Sequence, residues 1–276
     1  LIVGKHMTTI EQKYKIGTRR FGRVNWIGLY TLYTKEVLRF FNVWFQTVLS
    51  PIVTFLLFLG VFSLAIGNSR SDVLEHKFTI FLIPGLIAMQ MMQNAFANTS
   101  SSLMIAKVQG NIVDILYPPL SAMEVTTAMI GGGITRGMIV GFCSIIAAEI
   151  FISVPIYSIS IILIYGLLGC SMLAGLGFVA GLWAEKFDNM AAVTNFIIVP
   201  LSFLSGTFYS IKNLNIYLET ISLFNPFFYM IDGFRYGFLG VADGSITIGL
   251  TLLTIINIFI WYICYFLFNK GYKVKF

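Results

Sequence analysis

The sequence predicts an all-α membrane protein with six transmembrane helices, and three observations predict it. Of its 276 residues, 57% are hydrophobic and 11% charged, with a mean hydropathy of +0.85; a soluble domain carries about 25% charged residues. The charges leave long gaps, each about the 20 residues that a hydrocarbon core of about 30 Å demands. The apolar runs in those gaps do not alternate as barrel strands would, so helices are the way to satisfy their backbone in lipid.

The elements follow in order. Residues 1–23 form a basic, cytosolic N-terminal tail, with Met7 a candidate native start and residues 1–6 a candidate leftover ahead of it. The opening forty residues are rich in Lys and Arg and lack an apolar core with a small-residue cleavage site, so no signal peptide is expected. Residues 24–276 form the transmembrane domain. Its first segment, VNWIGLYTLYTKEVLRFFNVW (24–44), repeats Trp26, Leu29, Tyr30, Tyr33, Val37, Phe40, Phe41 and Trp44 at helical steps. It reads as an amphipathic interfacial helix, with a plain leader into the first span as the other reading.

Span one is placed near Phe45–Ile66, between Arg39 and Arg70, and span two near Thr79–Asn98, between Lys77 and Lys107. Span three lies between Glu124 and Glu149, span four between Glu149 and Glu185 after a turn at Ser153–Pro155. Span five lies between Asp188 and Lys212, span six between Asp243 and Lys270. With the N-terminus in the cytosol, thirteen Lys/Arg fall on cytosolic segments and four on external ones. The positive-inside rule favours that orientation, and six spans return the C-terminus to the cytosol.

Chemistry is sparse. No G-x-x-x-x-G-K-[ST] occurs, so a P-loop nucleotide site is not expected in this chain. His6 and His76 are the histidines, and no His/Cys/carboxylate group has metal spacing. Cys143, Cys170 and Cys264 fall in spans with no disulfide or metal framework. No strongly charged tail suggests nucleic acid. The balance favours transport over catalysis.

A few embedded residues stand out. Gly133, Gly137 and Gly141 on span three, and Gly177 and Gly181 on span four, are spaced for close helix packing within one subunit. Arg136, in the cytosolic half of span three, is an intramembrane charge. Such a residue is a functional candidate by default, with snorkelling to the cytosolic headgroups as the alternative.

Two segments between spans carry the most information. IAKVQGNIVDILYPPLSAMEV (105–125) is a short amphipathic stretch between two apolar blocks, cytosolic by the orientation above. On the external side, residues 211–244 are too apolar for a solvated loop. Within them FNPFFYMIDGFRYGFLG (224–240) opens on Asn225, a good N-cap, and Pro226, suited to a first helical turn. Asp232 and Arg235 are three apart and so placed to pair on one face. The segment is expected to dip into the outer leaflet.

The motif N-P-x-x-Y-M-I-x-G-F-R-Y-G-F-L-G (225–240) joins PGLIAM (84–89), NAFAN (94–98), GGGITRG (131–137) and FDNM (187–190). Together with the span pattern, these resemble the ABC type-2 transporter permeases, in their YadH-like bacterial branch, from about Trp26 to Gly271. The resemblance implies a permease subunit of an exporter of drugs, lipids or glycans in a bacterial plasma membrane. Two copies of the permease would pair with two copies of a separate ATPase subunit, which would bind the ATP and Mg; no cofactor is implied for this chain. It also implies a coupling helix at Ala106–Leu116 that docks on the ATPase, with Gln109, Asn111 and Asp114 as its polar candidates. Gly110 and Val113 stand where relatives often carry a basic and an acidic residue. Between spans five and six it implies two short re-entrant helices, with Asn225, Pro226, Asp232 and Arg235 as candidate residues.

Two other classes compete. A secondary transporter would show an inverted repeat and broken helices at the midplane, and no clear repeat is seen. A membrane-embedded transferase needs a polar catalytic cluster, which the sequence does not offer.

Overall fold

In the computed structural model, residues 24–65, 73 and 77–273 are described. The expectations for residues 1–23, Arg70, Asp72, His76 and Lys275 lie outside them. Among the described residues the chain is helical, with no β-strand.

Helix α1 spans Trp26–Phe41. Asn25 caps it, its Oδ1 accepting from Gly28 N at 3.0 Å. The cap is locked in turn by Glu124, whose Oε1 accepts from Asn25 N at 2.6 Å. Leu32, Glu36 and Phe40 form the buried face, packed against α5 and α3, while Trp26, Ile27 and Tyr30 point outward. Arg39, the charge that bounds span one in the sequence, turns inward. It donates to Asn98 O and Oδ1 on α3 at 2.8 and 2.9 Å.

A π-helical turn, Phe45–Leu49, leads into α2, Ser50–Ala65. α3, Phe78–Val108, runs 31 residues, or about 46 Å at 1.5 Å per residue. It is the axle of the bundle, packed on α5, α6 and α10 and buried along most of its length. Gln109 ends it, and Gly110 takes the left-handed conformation at φ +75°. The short α4 follows at Val113–Leu116.

α5, Ala122–Phe151, starts with a capping box. Ser121 Oγ accepts from Glu124 N while Glu124 Oε2 accepts from Ser121 N, so two end donors are satisfied at once. Its glycines do what their spacing predicts: a Cβ at Gly133 would stand 2.8 Å from Ala174 Cβ, and one at Gly137 2.8 Å from Met91 O. On α6, Ile159–Trp183, a Cβ at Gly181 would lie 2.9 Å from Leu103 Cβ. The two glycine rows thus let α5 and α6 close on α3 within one chain.

The stretch expected as span five departs from a simple crossing. It consists of α7, Phe187–Val193, a π-helical turn, Thr194–Ile198, and α8, Val199–Phe203. Among the described residues, five helices are long and apolar enough to cross a membrane, and Phe187–Phe203 is a shorter apolar one. Its early end has a physical cause. Gly206 adopts φ +72°, and polar side chains collect the carbonyls left open at the helix end. Ser205 Oγ and Asn225 Nδ2 reach Leu201 O at 2.5 and 2.8 Å, Thr207 Oγ1 reaches Ser202 O at 2.8 Å, and Ser222 Oγ reaches Leu204 O at 3.1 Å.

A 3-10 turn, Ile211–Asn213, precedes α9, Ile216–Phe224, and α10, Pro226–Leu239. α11, Ile246–Asn269, closes the bundle against α6. The α10 hairpin packs near Phe81 and Gly85 at one end of α3; α4 hangs from the other end.

Candidate functional sites at the two ends of the bundle

At the α4 end, the structure splits the helix expected over Ala106–Leu116. Ala106–Val108 are the last turn of α3, Gly110 breaks the run, and only Val113–Leu116 form α4. The reason is local: Gly is a poor helix residue and a good left-handed one. The turn is closed by Gly110 N to Lys107 O at 3.2 Å and Ile112 N to Ala106 O at 2.9 Å.

Ile112 and Ile115 are buried and pin α4 to the bundle. Gln109, Asn111 and Asp114 all face outward, and Asn111 Nδ2 donates to Gln109 Oε1 at 3.3 Å. Between them Val108, Val113, Leu116 and Tyr117 are exposed, Tyr117 at 83%. The tip is therefore a rigid, mixed apolar and polar surface. A cleft of about 280 Å³ separates it from α1, with Lys35 and Asp114 on its walls.

Lys107 bounds span two in the sequence. In the fold its Nζ donates to Gly181 O, Leu182 O and Ala184 O at 3.2, 2.7 and 2.5 Å. It caps the C-terminus of α6, where unpaired carbonyls and the helix dipole favour a cation. Lys273 joins it, donating to Trp183 O at 3.2 Å and to Glu185 Oε1 at 2.6 Å. The Lys273 bond holds the Glu185 carboxyl below its usual range, and Glu185 raises the Lys273 ammonium. Sequence spacing carries no signal for these contacts, because their acceptors are backbone atoms far along the chain.

At the other end, α10 is buried. Phe227, Phe228, Phe234 and Phe238 are inside, Tyr229 and Tyr236 are half-buried, and Phe224 lies exposed at the end of α9. Each buried large apolar side chain contributes about 1.5–3 kcal/mol. Asn225 caps α10, accepting from Phe227 N at 3.0 Å, and Pro226 opens the first turn. Gly240, at φ +72°, ends it. Gly233 faces Tyr165 so closely that a Cβ there would overlap the ring.

The expected ion pair between Asp232 and Arg235 is not made; each is held by other partners. Asp232 accepts from Asp243 N at 2.9 Å and Gly244 N at 2.8 Å, fastening the start of α11. Arg235, 1% exposed, donates to Gly206 O at 2.6 Å and lies over Phe81 at 3.9 Å from the ring centroid. Asp243, the charge that bounds span six in the sequence, accepts from Ser210 Oγ at 2.6 Å and Ile211 N at 3.2 Å. Three charged residues thus close the loops around α10 through backbone, hydroxyl and ring contacts, with no direct ion pair among them.

Arg136 lies midway along the 30 residues of α5. Its Nη2 donates to Asn94 Oδ1 on α3 at 2.9 Å.

A long buried axle, a short surface turn on its one end and a buried, loop-fastened helix on the other describe a multi-pass transport protein. The sequence profile of the ABC-2 type transporter family matches residues 28–239, so the chain belongs to that family. It is 32% identical over 246 residues to the inner membrane transport permease YadH of Escherichia coli K12, covering 89% of this chain and 96% of that protein. The permease of the same name from Shigella flexneri matches to the same extent. Nodulation protein J of Rhizobium leguminosarum bv. viciae is 23% identical over 249 residues, covering 87% of this chain and 93% of its own length.

Proposed function

We propose that the chain is the membrane-spanning permease subunit of an ATP-driven exporter in a bacterial inner membrane. Two copies pair, and two copies of a separate ATPase bind ATP and Mg and supply the work. Both termini lie in the cytosol with the α4 turn. The observation that carries this reading is the α4 tip itself. Val113, Leu116 and Tyr117 are exposed beside Gln109, Asn111 and Asp114 on a turn held in place by Ile112 and Ile115. Such a surface suits a soluble protein partner better than water or lipid.

In this reading ATP closes the ATPase pair and pushes the two α4 turns. α3, gripped along its length, carries the push about 40 Å to Phe81 and the α10 hairpin. Lys107 carries it sideways into α6. α10 and its loops then act as the outer closure. A ligand moves such an equilibrium only by its differential affinity for the two states, so nucleotide must favour one packing of the permease pair.

The test is co-expression of the chain with its ATPase, followed by purification in mild detergent. A stable complex whose ATP hydrolysis rises on adding permease supports the reading. An ATPase that neither co-purifies nor responds would overturn it.

A further inference from the structure

Among the described residues, the middle of the bundle holds positive charge in excess of its counter-ions. Arg136 and its acceptor Asn94 each lie about 21 Å from the α4 ends of their helices at 1.5 Å per residue, out of reach of headgroups on that side. The guanidinium has five N–H donors. One reaches Asn94 Oδ1 at 2.9 Å, and Nε is buried with no partner.

The neighbours do not neutralise it. One turn along α3, Asn98 Oδ1 accepts from Arg39 Nη2 at 2.9 Å. Residues four apart on a helix are neighbours on one face, so two guanidinium groups occupy adjacent rungs of α3. The carboxylate in this cluster is Glu36, fully buried, and its oxygens are occupied: Ser102 Oγ donates to Oε1 at 2.7 Å and Arg39 Nε to Oε2 at 3.3 Å. Two cations therefore share one acid. Beside Arg136, α3 presents Gln90, Gln93 and Asn94, amides at helical spacing on one stripe, with Gln93 half-buried.

A cation at this depth in an apolar bundle calls for an anion, and guanidinium forks suit planar or tetrahedral oxyanions. The rest of this face of α5, Met129, Ile139 and Val140 beside Gly132 and Gly133, is apolar. We propose that Arg136, with Asn94, is a binding station for the oxyanion head, phosphate or carboxylate, of an amphiphile, and that Gln93, next to Asn94 on α3, borders it. The binding itself does not depend on the transport reading; that the amphiphile is cargo rests on it.

The test uses single-cysteine protein, Gln93→Cys in a background with Cys143, Cys170 and Cys264 replaced by alanine, in neutral maltoside micelles. Labelling by a maleimide is timed with added dodecyl phosphate, dodecyltrimethylammonium or inorganic phosphate. Dodecyl phosphate should slow labelling at least fivefold; the other two should not. Adding Arg136→Gln should abolish the protection, and Arg136→Lys should retain part of it. If Arg136→Gln does not fold, the three-probe comparison with Arg136 intact still decides. Protection in phosphatidylglycerol nanodiscs without any probe, absent in phosphatidylcholine ones, would support the station and identify a resident lipid as its source. Protection that needs added dodecyl phosphate supports the station and points to cargo. Equal labelling with all probes and in both nanodiscs, or equal protection by the cationic detergent, would overturn it. No ATPase is present, so a failure of the motor reading would leave this result standing.

Discussion

Arg235 lies over Phe81, its guanidinium carbon 3.9 Å from the ring centroid. The contact joins α10 to the far end of α3, and the bond to Gly206 O at 2.6 Å ties in the loop after α8. Three elements spread along more than a hundred residues of the chain meet at one side chain. Arg235 is the largest of the fully buried residues, so no solvent replaces what it loses on substitution.

Arg235→Ala should therefore destabilise the protein by about 2–4 kcal/mol. A charged hydrogen bond contributes about 1.5–3 kcal/mol and a desolvated cation–π contact about 2 kcal/mol, not fully additive. Lys212→Ala, at an exposed position, should stay within about 0.5 kcal/mol. Thermal unfolding in detergent reads the difference; equal midpoints for the two variants would remove Arg235 from this role.

Gly233→Ala should cost about 1–3 kcal/mol through overpacking. The added methyl meets the Tyr165 ring, whose hydroxyl is fixed by its bond to Ile246 O at 2.6 Å. Amide exchange should quicken in residues 226–239 in this variant. Unchanged exchange would mean that α10 and α6 are not in contact as described. Rapid exchange throughout that segment in the wild-type protein would rule out a buried α10 altogether.

Lys107→Met keeps the length of the side chain and removes three donors from the end of α6. A loss of about 1.5–3 kcal/mol is expected, with faster exchange at 180–185. In the assembled transporter, ATP hydrolysis should persist while transport falls. A variant with wild-type stability and transport would show that α6 does not take its movement from Lys107.

Topology has its own test. Single cysteines at Asn213 should label from outside with an impermeant reagent, and at Asn111 and Asp188 only after permeabilisation. Asn213, Asn111 and Asp188 are all exposed. The reverse pattern would invert the orientation and place the α4 turn outside.

Much of the fold is written in single residues. Charge gaps bracket the long helices, Asn225 and Pro226 announce α10, and the glycines of α5 and α6 announce close packing on α3. Most of what the sequence does not show depends on atoms brought in from elsewhere in the chain. The spacing of Asp232 and Arg235 suits a pair, but amides at Asp243 and Gly244 and the carbonyl of Gly206 take their places. A glycine at position 110 weakens a helix; that it ends α3 outright depends on its positive φ. The apolar run after Asp188 reads as a full span, yet Ser205, Thr207 and Asn225 fold its end back by capping carbonyls. Glu36 was masked by its neighbours, since an acid on an amphipathic helix reads as solvated until Ser102 and Arg39 enclose it.

The most direct test of the account is cross-linking at the α4 tip. Asp114→Cys is placed in a background with Cys143, Cys170 and Cys264 replaced by alanine, and the ATPase is co-purified. A bifunctional thiol–amine reagent should join position 114 to the ATPase, with a yield that changes when ATP is bound. Asp114→Lys should lower the ATPase stimulation at least tenfold while the melting temperature of the permease holds. A control cysteine at Tyr217, exposed on α9 at the other end, should give no such product. Cross-linking from Tyr217→Cys and none from Asp114→Cys, with Asp114→Lys fully stimulated, would contradict the assignment of α4 as the motor contact.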